Sequence, residues 1–269
     1  MKKRYYLALV LGVGLLWLAG GALAAPRSQD GVQSGVYPLL AITNHLPWAY
    51  KDYKAYQGSL QKVDLAIGGQ ERFKDLPKLG MKQPYTGTIT LGDAGQKFGV
   101  IIDIVGEEKR LYIDRNGDGS FAGESWTPLL NEWYGLQIYA VNGPEPVQLQ
   151  VTYQDGKTRP IQIQVGGLLN RPGAMVKEKP YLMVRVETWF LAKLNEDGAV
   201  KLVAVVDRNH NGRFNDPEDL LFIDDNDDGS FDLNEALPRK RGVVLPGRQR
   251  LTATWAVYPD ELVIGGKTK

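Results

Sequence analysis

Cysteine is absent from the 269 residues, and histidine occurs only at His45 and His210. Without a thiol there is no disulfide, no cysteine nucleophile and no lipoprotein-type anchor. Two histidines exclude a histidine-rich zinc centre, and a nucleophilic triad would have to recruit one of them. His45 stands beside Asn44 and Pro47, while His210 holds the fourth position of a loop motif, expected to face solvent. An excess of one charge is lacking too: 32 Lys and Arg meet 31 Asp and Glu. A near-neutral chain argues against electrostatic capture of nucleic acid. Helix signals are confined to Glu71–Leu76 and Pro217–Leu220, and long apolar runs to the first 25 residues.

That early run has the form of a signal peptide. Lys2, Lys3 and Arg4 precede an apolar stretch from Leu7 to Leu18, and Ala22-Leu23-Ala24 is a small-residue cleavage site. Cleavage after Ala24 leaves 29 basic against 31 acidic side chains. The expectation is an exported, periplasmic or secreted chain, held at the membrane only if this segment stays uncleaved.

Strand signals dominate the remainder. Tyr85–Leu91, Lys97–Val105, Arg110–Ile113, Val147–Tyr153, Ile161–Val165, Tyr181–Leu194, Lys201–Val206 and Leu220–Ile223 are rich in β-formers. Ile161, Ile163 and Val165 alternate with glutamine, the pattern of a strand buried on one face. Asp93-Ala94-Gly95, Asp155-Gly156 and Asp197-Gly198 read as hairpin ends. The expected fold is mainly β, in antiparallel sandwich-like or partly barrel-like sheets.

Three strand ends carry one motif, D-x-N-x-[DN]-G-x-F, beginning at Asp114, Asp207 and Asp224. Calcium takes six to eight oxygens, so a loop must turn several side-chain oxygens and a carbonyl onto one point. Positions one, three and five supply Asp114, Asn116 and Asp118; Asp207, Asn209 and Asn211; and Asp224, Asn226 and Asp228. Gly119, Gly212 and Gly229 permit the bend that brings round the seventh carbonyl, of Ser120, Arg213 and Ser230. Ninth positions are Asn215 and Asp232, and the twelfth, where a bidentate acid is wanted, falls on Glu218 and Glu235. The first loop differs, with Ala122 ninth, Ser125 twelfth and Glu124 one residue early, so weaker or altered closure is expected. Phe121, Phe214 and Phe231 at position eight can anchor each loop to a core. Asx turns use the same residues without metal. The metal reading gains weight from ten carboxylates between Asp207 and Glu235 against Arg208 and Arg213 alone. A basic segment follows, from Arg239, and can offset part of that field.

Over about twelve residues each, the loops resemble those of the EF-hand superfamily. Strands rather than helices precede them. They are therefore more similar to exported bacterial β-proteins in which such loops cap strands, with loop chemistry like that of dockerin modules and thrombospondin type 3 repeats. That resemblance implies structural calcium and an exported setting.

A duplication is also expected. Lys97–Asp103 followed by Arg110–Asp114 can be laid on Leu202–Asp207 followed by Leu220–Asp224. This divides the chain into a signal peptide (1–24), a β unit with one loop (25–125) and a β unit with two loops and the basic tail (126–269). The expected function is calcium binding in a structural or binding role without catalysis. The alternative is a module for a cell-envelope glycan or protein using exposed aromatics, for which Trp48, Trp126, Trp133, Trp189 and Trp255 are candidates, with Trp126, Trp133, Tyr134 and Tyr139 close in sequence. A carboxylate-dependent hydrolase is a further alternative.

Overall fold

A computed structural model describes residues 35–43, 60–134, 138–170, 179–196, 199–238 and 252–265. The expected signal peptide, His45, Trp48, the Asp197-Gly198 turn and the basic residues from Arg239 to Arg250 lie outside these segments. In chain order the strands are β1 (Gly35–Pro38), β2 (Leu40–Ile42), β3 (Gln61–Asp64), β4 (Ala66–Ile67), β5 (Tyr85–Leu91), β6 (Gln96–Val105), β7 (Glu108–Ile113), β8 (Thr127–Pro128), β9 (Leu130–Tyr134) and β10 (Ile138–Asn142). They continue as β11 (Val147–Thr152), β12 (Thr158–Asn170), β13 (Tyr181–Val186), β14 (Trp189–Glu196), β15 (Ala199–Val206), β16 (Leu220–Ile223), β17 (Ala236–Pro238), β18 (Thr252–Trp255) and β19 (Glu261–Gly265).

The fold is mainly β and every strand pair is antiparallel, in four open sheets. No sheet closes into a barrel, so of the two expected arrangements the sandwich-like one holds. Two sheets have five strands, in the orders β4-β5-β6-β7-β8 and β17-β16-β15-β14-β2. A six-stranded sheet runs β3-β13-β12-β10-β9, with β11 also on β12, and a small sheet runs β1-β19-β18. Their inward faces share one core: Val100 and Ile102, Ile161 and Ile163, Val203 and Val205, Leu262 and Ile264 each come from a different sheet.

Two expectations change. Glu71–Leu76 forms only a 3-10 turn at Gln70–Arg72, and Pro217–Leu220 is a turn leading into β16. The Tyr181–Leu194 run is two strands, because the chain crosses between sheets at Glu187 and Thr188. There the Glu187 N–H donates to the Gln162 carbonyl and the Thr188 hydroxyl accepts from the Gln162 N–H. A corner held by partners 26 residues away leaves no mark on β-propensity. β1, β2 and β3, from the first 125 residues, pair with β19, β14 and β13 from the remainder.

The duplication has a structural counterpart. In each five-stranded sheet a hairpin leads to a third strand that ends in a calcium-type loop: β5-β6-β7 before Asp114, and β14-β15-β16 before Asp224. Val100 lies opposite Ile113, and Val203 opposite Ile223. Counting on from these pairs matches Asp103 with Val206, one residue from the expected Asp207. Asp103 is buried within β6 and accepts the N–H groups of Gly80 and Met81, each at 2.8 Å. The loops at Asp114 and Asp224 therefore correspond, while the loop at Asp207 replaces the short β6–β7 turn.

Candidate metal centre

All three loops fold alike because one hydrogen-bond network is written into their sequence. The first Asp presents an oxygen to the sixth-position glycine N–H: Asp114 to Gly119 at 2.8 Å, Asp207 to Gly212 at 2.7 Å, Asp224 to Gly229 at 3.0 Å. Its other oxygen accepts the N–H of position five, from Asp118, Asn211 and Asp228, which also reaches the third-position Asn116, Asn209 and Asn226. The seventh N–H, of Ser120, Arg213 or Ser230, returns to the fifth side chain at 2.8 Å each time. Positions four and six have positive φ in every loop; His210 and Asp227 adopt it without being glycine.

Closure also repeats, at different distances along the chain. In the third loop Glu235 accepts the Asp225 N–H at 3.0 Å and the Asp232 N–H at 2.9 Å. In the second, the residue making the matching bonds is Asp219, to the Arg208 N–H at 3.1 Å and the Asp216 N–H at 2.6 Å. Glu218 is exposed and stands outside this closure. One additional residue follows Phe214, so Asp216 and Asp219 make the closing bonds that Asp232 and Glu235 make in the third loop, one position beyond the expected Asn215 and Glu218. The spacing Asp216-x-x-Asp219, parallel to Asp232-x-x-Glu235, was the available signal. In the first loop Glu124 closes onto the Arg115 N–H at 2.9 Å, and the Arg115 guanidinium lies 3.5 Å from its second oxygen.

The loops differ most in burial. Asp114, Asp207 and Asp224 are all buried, but Asn116, Asp118, Asn226 and Asp228 are exposed where Asn209 and Asn211 are half-buried, and Asp216 and Asp219 are buried where Asp232 and Glu235 are half-buried. Asp216 accepts both amide groups of Asn209 and Asn211, at 3.2 and 2.6 Å, and pairs with Arg213 at 2.9 Å. Burial, followed by repulsion from Asp219, raises the Asp207 carboxyl well above its ordinary range, and burial pushes Asp219 up to about 7. Two carboxylates that disfavour their own charge, with amide oxygens beside them, form an oxygen-only donor set suited to a hard divalent cation. Among the described residues, no group of three or more His, Cys, Asp or Glu converges in a ligating arrangement.

His210 is not at the surface as expected; it is wholly buried. Its Nδ1 accepts the Val186 N–H at 3.1 Å, which places the proton on Nε2. Burial, aided by Arg185, lowers its pKa to about 3.

Position-eight aromatics do anchor the loops. Phe121 meets Phe73 edge-on at 5.3 Å and Phe231 meets Trp189 at 6.2 Å, each over the outer face of its own sheet. Phe214 instead enters the shared core, 4.7 Å from Phe190. Of the candidate sugar-stacking rings, Tyr139, Trp189 and Trp255 are buried and Trp126 is 39% exposed, with the Arg110 guanidinium 5.3 Å from its ring. The side chains of Trp133 and Tyr134 lie outside the described set. Among the described residues no helix is long and apolar enough to cross a membrane. No protein family, curated protein or solved structure matches this chain.

Proposed function

We propose that this is an exported calcium-binding β-protein whose ions stiffen the loops that cap its strands, in a structural or binding role without catalysis. The observation that carries the reading is the same Asp, Asn, glycine and closing-acid network built three times at strand ends. In the second copy that network buries three carboxylates, Asp207, Asp216 and Asp219, and a divalent cation would relieve the repulsion between Asp207 and Asp219. Ligands would be Asp114, Asn116, Asp118 and Glu124; Asp207, Asn209, Asn211, Asp216 and Asp219; and Asp224, Asn226, Asp228, Asp232 and Glu235. Carbonyls of Ser120, Arg213 and Ser230 would complete the sets. Export rests on the signal-peptide pattern of residues 1–24.

Isothermal titration with calcium, and with magnesium as control, tests the reading directly. Calcium binding that Asp224→Ala or Glu235→Ala weakens is expected; no calcium heat at millimolar concentration would reduce the three motifs to Asx-rich turns. A second reading, glycan or protein binding in the cell envelope, has the exposed Trp126 ring in its favour. Unchanged retention of Trp126→Ala on cell-wall material would remove it.

A further inference from the structure

The three loops do not reach equally far into the molecule. The third is tied to its own sheet: Asp224 donates to the Leu202 carbonyl of β15, and Lys201 of that strand binds the Asp225 carbonyl at 2.6 Å and the Asp227 carboxylate at 2.9 Å. The first reaches two sheets, because Gln150 of β11 donates its N–H to the Arg115 carbonyl at 2.8 Å. The second, which follows β15, meets all three remaining sheets. Its Asn211 carbonyl accepts the N–H of Gly92 at the β5–β6 turn, at 2.8 Å. From the six-stranded sheet, Tyr153 donates its hydroxyl to the Gly212 carbonyl at 2.7 Å and Val186 donates its N–H to His210. From the small sheet, the Trp255 indole donates to the Phe214 carbonyl, and the Val257 carbonyl accepts the Phe214 N–H at 2.8 Å. Phe214 fills the space between, edge-on to Phe190 and Tyr258. There is no slack at the crossing: a Cβ on Gly212 would lie 3.1 Å from the Gly92 nitrogen, at a backbone φ of +76°.

We propose that the second loop, Asp207–Asp219, is the joint through which cation occupancy sets the packing of all four sheets, while the third loop acts on one sheet end. The joint itself follows from the hydrogen bonds above; its control by a cation rests on the calcium reading. Loop affinity and structural consequence are thereby separated. The third loop has four acidic candidate ligands, the larger set, and the bonds that tie it down run to β15 of its own sheet.

Native-state hydrogen exchange on the full chain tests this, read at the N–H groups of Gly92, Val186 and Phe214 in millimolar calcium and in excess chelator. Asp219→Asn should accelerate all three together, while Asp224→Asn should accelerate only residues 224–235. Tyr153→Phe, which leaves every candidate ligand in place and removes the hydroxyl bonded to the Gly212 carbonyl, should also raise exchange at all three, by about tenfold for loss of one buried hydrogen bond. This variant keeps the test valid if Asp219→Asn fails to fold. Acceleration confined to 207–219, or confined to Gly212 in Tyr153→Phe, would overturn the joint. If Tyr153→Phe loosens all three positions but calcium protects none of them in the wild type, the joint stands and its control by calcium falls.

Discussion

Asp219 and Glu218 are neighbours with opposite surroundings, and that difference makes the sharpest residue-level prediction. Asp219 is buried and closes the second loop through two backbone N–H groups; Glu218 points to water. Asp219→Asn should weaken calcium binding and lower the melting temperature in calcium, whereas Glu218→Gln should stay within about 0.5 kcal/mol of wild type by urea unfolding. Equal effects would mean that the twelve-residue count locates the ligand better than the hydrogen bonds do. Phe214→Ala removes a fully buried ring and should cost about 3–5 kcal/mol. His210 carries a pH signature. Its folded pKa, lowered to about 3, lies below the ordinary value near 6.5, so the unfolded chain binds the proton first. The stability this neutral imidazole contributes is complete above pH 6.5 and declines as pH falls towards 3. Between pH 6.5 and 5 the wild type should therefore lose about 2 kcal/mol relative to His210→Asn, measured by urea unfolding in calcium. Asparagine suits the comparison because it tolerates the positive φ at this position.

The loops themselves are the elements on which calcium would act, and their charge differs. Asp224, Asp228, Asp232 and Glu235 make the third loop the most acidic set. The second offers Asp207, Asp216 and Asp219. The first offers Asp114, Asp118 and Glu124, the last of these drawn towards Arg115. Titration of single-loop variants should show the third binding most tightly, with Asp114→Ala mattering less than Asp224→Ala; equal losses would overturn that order. Strand reading at this scale was largely accurate: β5 and β16 have the bounds that β-propensity marks out, and the Ile161–Val165 alternation lies within β12. It failed at Glu187–Thr188, where one run of β-formers turns from one sheet into another. Glu187 and Thr188 carry no glycine, proline or Asx turn signal, and the bonds that make the corner come from Gln162.

At the scale of the whole molecule, a chain without disulfides relies on one core shared by four sheets and on whatever binds its loops. Calcium at about a hundred times its dissociation constant would add about 2.7 kcal/mol per independent site. Melting of the full chain should therefore rise by several degrees in calcium and return in excess chelator, with magnesium less effective. No shift would leave a mainly β protein without a metal role. What sequence alone determined is local. The β character, the hairpin turns, the three Asx-glycine loops and their phenylalanine anchors all depend on residues within about a dozen positions of each other, where spacing dictates geometry. Tertiary structure decided the rest: the pairing of β1, β2 and β3 with strands more than a hundred residues away, the burial of His210, the choice of Asp219 over Glu218, and the meeting of four sheets on the second loop. These depend on which surfaces come together after collapse, and a partner supplied from another sheet leaves no periodicity in the segment that receives it.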